Sequence, residues 1–308
     1  MHSDEFFASA RSGKNDFWRY FLTVIGIVFI VIFVTAIVAV AVSIYFFTTH
    51  NIDFNHLSPI ASLLIGMSIF PPALLVLFLG IRFLHQRPFK TLITPQPRIA
   101  WRRMLLSGGL WFLISAIGDL VTALWVTPGN YSWSFNPIKF IPFAILSVIL
   151  IPIQSSTEEL VFRGYLMQAF SLLTKHPWIP LVVSSVLFAS LHSANPEVAT
   201  YGFAWMIPIY LGMGLLLGWI TQYTGGLEAS MGLHIANNLY AGLIVTFPDS
   251  AIVSPAVFTI NHYDVKLSLV SFVVSAALYL VLFIWLNGKH KLAGESEQVA
   301  PVLNDQID

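Results

Sequence analysis

The chain has 308 residues, of which 56% are hydrophobic and only 10% are charged, and its mean hydropathy is +0.77. Soluble domains carry ~25% charged residues, so this composition excludes an ordinary soluble protein and predicts a polytopic membrane protein. Its 15 Lys and Arg residues balance 15 Asp and Glu residues, with no basic patch for a nucleic acid, and the absence of cysteine excludes disulfides and a thiol nucleophile.

Apolar stretches long enough to cross a membrane recur along the whole chain. A membrane-spanning helix needs ~20 apolar residues, which predicts an all-α fold of about eight spans around an intramembrane cavity. The first stretch is too long for the core of a signal peptide and is predicted to be a retained span. The predicted spans cover residues 20–47, 58–84, 104–126, 138–154 with a helical continuation to 173, 178–192, 203–222, 229–247 and 265–287.

Positive charge distinguishes the two ends of the predicted bundle. Twelve of the fifteen Lys and Arg residues fall in the N-terminal segment, the second and fourth connections and the C-terminal tail, whereas Lys139 and Lys266 fall on the opposite side. The positive-inside rule therefore predicts that both termini are cytoplasmic, and we expect a location in the cell membrane. The predicted divisions are a cytoplasmic N-terminal segment (1–19), one membrane-embedded domain (20–288) and a disordered cytoplasmic tail (289–308).

Two adjacent carboxylates lie in the continuation of the fourth span. Glu159 and Arg163 are four residues apart, which places their side chains on one helix face, where they can form an ion pair. Buried ion pairs often orient helices without chemistry, and we favour that interpretation of this pair. Glu158 is rotated by ~100° from Glu159 and has no partner at helical spacing. Because an unpaired charge in a membrane is costly, Glu158 is predicted to be functional.

Two histidines and an asparagine in later spans complete a polar set. Counted from the turn at 174–177, Glu158 and His192 lie about equally far along two antiparallel helices, which predicts that they share one depth. His234 and Asn238 are four residues apart, so both can donate hydrogen bonds toward a single oxygen, as an oxyanion site requires. Taken alone, His192 and Asn238 are equally typical of hydrogen bonds between helices.

The pattern formed by these residues is similar to that of a known family. Glu158-Glu159-x-x-x-Arg163, Phe188-x-x-x-His192 and His234-x-x-x-Asn238, in that order, resemble the three motifs of the CPBP family. This family comprises the CAAX prenyl proteases and the bacteriocin-processing or immunity proteins, also called Abi proteins. The resemblance covers the motifs at about 158–238 and, through the arrangement of spans, most of the chain.

The resemblance implies an intramembrane endopeptidase that acts on a membrane-associated protein or peptide. It implies that Glu158 is the general base and that His192 helps it to activate water. It further implies that His234 and Asn238 stabilise the oxyanion, with Glu159 and Arg163 in support. The sequence itself indicates neither a prenylated substrate nor an oligomeric state.

Three alternatives stay open at this stage. A metal-free glutamate mechanism without a cofactor is preferred, and the alternative is a zinc protease with Glu158, His192 and His234 as ligands. A proton-coupled transporter also uses membrane Glu and His residues, although no internal pseudo-symmetry favours it here. A non-catalytic immunity or scaffold protein is the third alternative, and the intact motifs argue against it.

Two features lie outside the motifs. Asp119, in the third predicted span, is a further membrane carboxylate, and we expect it to pair with Arg163. No second Asp lies within a predicted span, which disfavours an aspartyl protease. Gly214 and Gly218 form a small-xxx-small pair, which predicts the close approach of two helices.

Overall fold

The structure is a computed structural model and describes residues 3–49 and 57–299. The helices of these residues are α1 (Ser3–Ala8), α2 (Phe17–Thr49), α3 (Pro59–Met67), α4 (Phe70–Leu79), α5 (Trp101–Val121), α6 (Pro137–Glu159), α7 (Met167–Ser171), α8 (Trp178–Leu191), α9 (Pro196–Tyr201), α10 (Phe203–Thr224), α11 (Glu228–Leu243) and α12 (Val265–Val299). The strands are β1 (Tyr131–Trp133), β2 (Val245–Thr246) and β3 (Phe258–Ile260). The regular structure of the described residues is therefore helical apart from one small sheet.

Six helices of the described residues are long and apolar enough to cross a membrane. They are Phe17–Thr48, Pro59–Leu84, Trp101–Val126, Pro137–Ser171, Phe203–Thr224 and Val265–Asn287. The other two predicted spans correspond to α8, with 14 residues, and α11, with 16 residues. At 1.5 Å per residue they reach only ~21 to ~24 Å, short of a ~30 Å hydrocarbon core. An integral membrane fold is supported, and the predicted count of about eight spans is not confirmed.

Helix α11 lies in the interior of the bundle, packed against α5, α6 and α10. Its backbone touches that of α5. A Cβ atom added to Gly232 would lie 1.9 Å from the carbonyl oxygen of Met104, and one added to Gly108 would lie 2.6 Å from the carbonyl oxygen of Gly232. Because only glycine permits this separation, the two glycines fix how closely α5 and α11 cross.

The predicted close approach at Gly214 and Gly218 is confirmed. Both glycines lie on α10 and face α8, where added Cβ atoms would contact Ser185 at 3.1 Å and Leu181 at 2.6 Å. Helix α8 is thereby held against the bundle although it is too short to cross a bilayer alone.

One continuous helical segment, Pro137–Ser171, joins α6 to α7. Pro142 and Pro152 lie inside α6, which continues to Glu159 without a break. The seven residues Leu160–Leu166 form a π-helical turn. Such turns are common at functional sites, and this one begins directly after the two carboxylates.

The N-terminal segment folds onto one end of the bundle. Phe6 is fully buried in a cluster with residues of α4 and of the turn that follows α6. The Gln168 amide donates to the carbonyl oxygens of Phe6 at 3.3 Å and Thr91 at 2.8 Å, and Arg87 Nη1 donates to the carbonyl oxygen of Ser9 at 3.1 Å. Three segments that the charge pattern assigns to one side therefore meet there.

The small sheet lies among the connections assigned to the opposite side. Its strand order is β1-β3-β2, with β1 antiparallel and β2 parallel to β3. Tyr131 is opposite Ile260, and Val245 is opposite Phe258. The sheet ties the connection after α5 to the long connection between α11 and α12.

The tail predicted for 289–308 is described only in part, and its predicted disorder stays a prediction. The backbone of α12 continues as a helix to Val299, and residues 300–308 lie outside the described residues. The physical reason is local, since Lys, Leu, Ala, Glu and Gln dominate 291–298 and are strong helix formers despite their polarity. The predicted N-terminal segment 1–19 is described from residue 3 onward.

Candidate active site

Glu159 and Arg163 form the ion pair that their spacing predicts. Arg163 Nη1 donates to Glu159 Oε1 at 2.8 Å, and both side chains are fully buried. Arg163 Nη2 donates to the carbonyl oxygen of Gly214 on α10 at 3.2 Å. The guanidinium carbon also lies 4.4 Å from the centre of the Phe188 ring on α8. This arginine thus joins α6, α8 and α10 at one point.

His234 lies between the two adjacent carboxylates. Its Nδ1 is 2.8 Å from Glu159 Oε1, and its Nε2 is 3.5 Å from Glu158 Oε2. A carboxylate of an ion pair only accepts hydrogen bonds, so Nδ1 carries a proton. The imidazole, which is 3% exposed, is therefore oriented by Glu159 and directs its second nitrogen at Glu158.

Glu158 keeps one oxygen free of hydrogen bonds. Its Oε2 is buried and has no hydrogen-bond partner among the described residues. The 3.5 Å separation from His234 Nε2 is longer than the 2.7–3.2 Å typical of an N–H···O bond. The Glu158 side chain is 14% exposed, whereas that of Glu159 is fully buried. Within the described residues Glu159 Oε2 also lacks a hydrogen-bond partner, but the other oxygen of Glu159 is paired with Arg163, so Glu158 is the carboxylate that lies outside the ion pair.

Asn238 lies one helical turn after His234 and contacts α6. Its Nδ2 donates to Gln154 Oε1 at 3.0 Å and to Ser155 Oγ at 3.2 Å. Its Oδ1 accepts from Asn237 Nδ2 at 3.0 Å. The predicted face shared by His234 and Asn238 thus packs against the segment that carries Glu158. Both hydrogens of the Asn238 amide are directed at α6.

His192 lies at the end of α8, against two aromatic rings. Its Nδ1 is 2.8 Å from the carbonyl oxygen of Phe188, which can only accept, so Nδ1 carries a proton, and in the neutral ring Nε2 keeps its lone pair. The ring centre is 4.3 Å from that of Phe188 and 4.5 Å from that of Tyr210. No hydrogen bond or ion pair joins His192 to Glu158 in the part of the chain that the structure describes. The link between His192 and Glu158 is indirect. The Phe188 ring, which contacts His192, also lies 5.9 Å from the ring of His234, and His234 lies beside Glu158.

Comparison with known proteins identifies the family. A family model described as type II CAAX prenyl endopeptidase, Rce1-like, matches residues 137–240, which include every predicted site residue. The chain is also 32% identical to the uncharacterized protein YyaK of Bacillus subtilis strain 168 over 288 residues, covering 91% of this chain and 95% of the relative.

The chain belongs to this family of Rce1-like CAAX endopeptidases. The membership confirms the resemblance seen in the three motifs. No solved structure matches the chain significantly.

Asp119 does not pair with Arg163, and that expectation was wrong. Its Oδ1 accepts from the hydroxyl of Tyr131 and its Oδ2 from the hydroxyl of Tyr240, both at 2.7 Å. Arg163 pairs instead with Glu159. Asp119 links α5, β1 and α11 and lies outside the site.

The described residues do not form a cluster of possible metal ligands. No group of three or more His, Cys, Asp or Glu residues among them could hold a metal ion. Of the three ligands of the zinc alternative, Glu158 and His234 lie together, whereas His192 is directed at Phe188 and Tyr210. The donor set as arranged does not fit zinc.

A cavity of about 290 Å³ lies elsewhere, between the N-terminal segment and the turn before α8. Its lining includes Asp4, Arg11, Lys175 and His176 and none of the predicted site residues. The predicted water-accessible cavity around the four motif residues thus stays a prediction.

Several site residues were missed at the level of sequence. Gln154 was identifiable, because it precedes Glu158 by four residues and so shares its helix face. Tyr210 of α10 contacts the His192 ring and donates its hydroxyl hydrogen to Glu197 of α9. Neither residue had such a signal, since these contacts depend on how α9 and α10 pack.

Proposed function

We propose that this protein is an intramembrane endopeptidase that hydrolyses a peptide bond in a membrane-associated protein or peptide, with Glu158 as the base. The family supports a protease of this class. The observation that supports the proposal is the imidazole of His234 between two carboxylates, of which Glu159 is fully buried in an ion pair with Arg163 and Glu158 is not.

The charges at this site support both a general base and a hydrogen-bond donor for an oxyanion. Glu158, Glu159 and Arg163 together carry one net negative charge when ionised, and a proton on His234 Nε2 makes the cluster neutral. Burial favours such neutrality, because an uncompensated charge is costly away from water. The protonated ring donates to Glu159 through Nδ1 and offers a second N–H beside Glu158. A base and a hydrogen-bond donor for an oxyanion are then adjacent.

In the proposed reaction Glu158 removes a proton from a water molecule. The water oxygen attacks the carbonyl carbon of the substrate, and the carbonyl π electrons move onto its oxygen. His234 donates a hydrogen bond to that oxyanion through Nε2. Hydrogen bonds to a developing oxyanion are usually the largest single source of transition-state stabilisation. The C–N bond then breaks, and the proton held by Glu158 passes to the leaving nitrogen.

His192 and Asn238 complete the proposal. The free lone pair of His192 Nε2 accepts the second hydrogen of the attacking water and so orients it. Asn238 contributes a second donor to the oxyanion once one of its amide hydrogens leaves Gln154 or Ser155. Glu159 and Arg163 act through His234, whose orientation they hold.

We further propose that both termini are cytoplasmic and that the protein resides in the cell membrane. The meeting of the N-terminal segment with the other basic connections at one end of the bundle supports this orientation. The substrate is proposed to be a membrane-associated protein or peptide, and no nucleic acid or cofactor takes part.

The test is cleavage by membranes that contain the protein with Glu158→Gln. We expect newly created peptide termini in the membrane proteome with the unsubstituted protein and none with the variant, because glutamine cannot accept the proton. Glu5→Gln is the matched control, since Glu5 is exposed in the N-terminal segment, and it should cleave as before. Cleavage that persists in correctly inserted Glu158→Gln protein would show that another group is the base.

A further inference from the structure

A further buried carboxylate, Glu197, is linked to His192 through Tyr210. Glu197, on α9, is only 4% exposed although it follows His192 by just five residues. Its Oε1 accepts the hydroxyl hydrogen of Tyr210 and an amide hydrogen of Asn195 at 3.4 Å. The same Asn195 amide donates to the Tyr210 hydroxyl oxygen at 3.0 Å. The three side chains form a closed hydrogen-bonded network.

This network ends on the imidazole of His192. The Tyr210 ring lies 4.5 Å from the His192 ring, with 32° between their planes, so its position limits how that imidazole can rotate. The other ring against His192 is Phe188, whose own carbonyl oxygen fixes Nδ1. The hydroxyl of Tyr210 is thus held at one end by Glu197 while its ring contacts His192.

A buried carboxylate is a costly way to hold a tyrosine. Burial of Glu197 leaves its Oε2 without a hydrogen-bond partner among the described residues, which a purely structural contact would avoid. Such a cost is common where the surroundings fix a reacting group, because misplacement of about 1 Å can reduce a rate ~100-fold.

From this geometry we infer that Glu197, Asn195 and Tyr210 are positioning residues that hold His192 with its Nε2 free. The inference rests on the proposed role of His192 in orienting water. Neither Glu197 nor Tyr210 touches the reacting atoms in this proposal. Both act only through the imidazole.

The first test measures His192 directly and needs no substrate. Diethyl pyrocarbonate reacts with an accessible, unprotonated imidazole nitrogen, and mass spectrometry gives the rate at each histidine. Exposed His176 and His262 serve as internal references in the same sample. We expect Tyr210→Phe, which keeps the ring but loses its anchor, to change the His192 rate severalfold relative to those references.

Two further variants make the test specific. Glu197→Leu should change the His192 rate as Tyr210→Phe does, and the double variant should do no more than either alone, because the residues act as one unit. Tyr131→Phe is the matched control, since it too loses a hydroxyl held by a carboxylate, Asp119, but one that is not part of the network around His192. It should leave the His192 rate unchanged.

Turnover provides the second test. In the cleavage assay Tyr210→Phe should lower kcat by up to ~100-fold with little change in KM, because water is misplaced while substrate contacts remain. An unchanged His192 labelling rate, or changed labelling with unchanged kcat, would overturn the positioning role. If no peptide is cleaved by any form of the protein, the proposed function fails, while the labelling still decides whether the network holds His192.

Discussion

His85 joins the N-terminal segment to the membrane-spanning core. Its Nδ1 donates to the carbonyl oxygen of Lys14 at 2.8 Å, and its Nε2 accepts from the Tyr165 hydroxyl at 2.8 Å. The side chain is completely buried. Burial, assisted by the positive charges of Arg87 and Arg19, lowers the pKa of His85 to about 4 from its usual 6.5, although the bond to Lys14 acts in the opposite direction.

Docking of this segment should therefore weaken in mild acid. The docked state holds His85 neutral, whereas the released imidazole binds a proton near pH 6.5. The contribution of His85 to the stability of docking is therefore complete above pH 6.5 and is lost as the pH falls toward 4. Between pH 6.5 and pH 4, the free energy that favours docking falls by about 1.4 kcal/mol for each unit by which the pH is lowered. Hydrogen exchange of residues 4–16, corrected for the intrinsic effect of pH, should show faster opening at pH 5 than at pH 7.5.

The control for this effect is another histidine. His262→Gln changes an exposed histidine at the sheet end of the bundle and should leave the acid sensitivity intact, whereas His85→Phe should remove it. Equal protection of the segment at both pH values in the unsubstituted protein would be incompatible with a docking contact controlled by His85.

At this scale the sequence predicts contacts within one helix and misses those between helices. The pairing of Glu159 with Arg163 follows from their spacing alone and is confirmed. The partners of Asp119 depend instead on how α5 and α11 rotate about their axes, which hydrophobic periodicity leaves open when both faces are apolar. The expected pairing with Arg163 was wrong for that reason.

The crossing of α5 and α11 positions the site at the level of elements. His234 lies two residues after Gly232, at which a Cβ atom would meet the Met104 carbonyl oxygen at 1.9 Å. Neither backbone can move locally to relieve that overlap, so the helices would have to separate. Any separation displaces His234 relative to Glu158 and Glu159, which lie on a third helix.

Gly232→Ala should consequently abolish activity through geometry, although it changes no polar group. We expect a large loss of stability in thermal unfolding of the purified protein, together with lost cleavage. Gly109→Ala is the matched control on α5, because a Cβ atom there meets nothing within 4 Å. It should be neutral or stabilising by up to ~1 kcal/mol, since alanine is the better helix former. An unaffected Gly232→Ala protein would mean that the crossing is looser than described.

The lengths of α8 and α11 could not be predicted correctly from the apolar pattern of the sequence. Apolar runs identify eight helical segments, but α8 and α11 are too short to span a bilayer and are held by neighbouring helices. An interior helix and a membrane span have the same apolar composition, and only its neighbours distinguish the two. The site depends on this difference, since His192 ends α8 and His234 lies in α11.

At the level of the whole molecule, two structured ends distinguish the sides of the bundle. The N-terminal segment, the loop around Arg87 and the end of the helix that carries Gln168 meet at one end. The three-stranded sheet joins the connections at the other. The charge asymmetry in the sequence predicts this grouping, because segments with the same sign preference stay on the same side of the membrane. The sequence does not predict the sheet, because strands of only two or three residues are too short to produce a recognisable pattern.

The proposed orientation can be tested without background, because the natural sequence has no cysteine. Ser12→Cys and Lys175→Cys place single thiols at exposed positions on the basic end, and Ser132→Cys places one on the sheet. With an impermeant maleimide on intact cells, we expect labelling at 132 only, and labelling at 12 and 175 after permeabilisation, since basic segments stay in the cytoplasm. The reverse pattern would invert the orientation while keeping the grouping. Labelling of 12 and 132 from the same side would contradict the fold itself, because both ends would then have to lie on one face of the membrane.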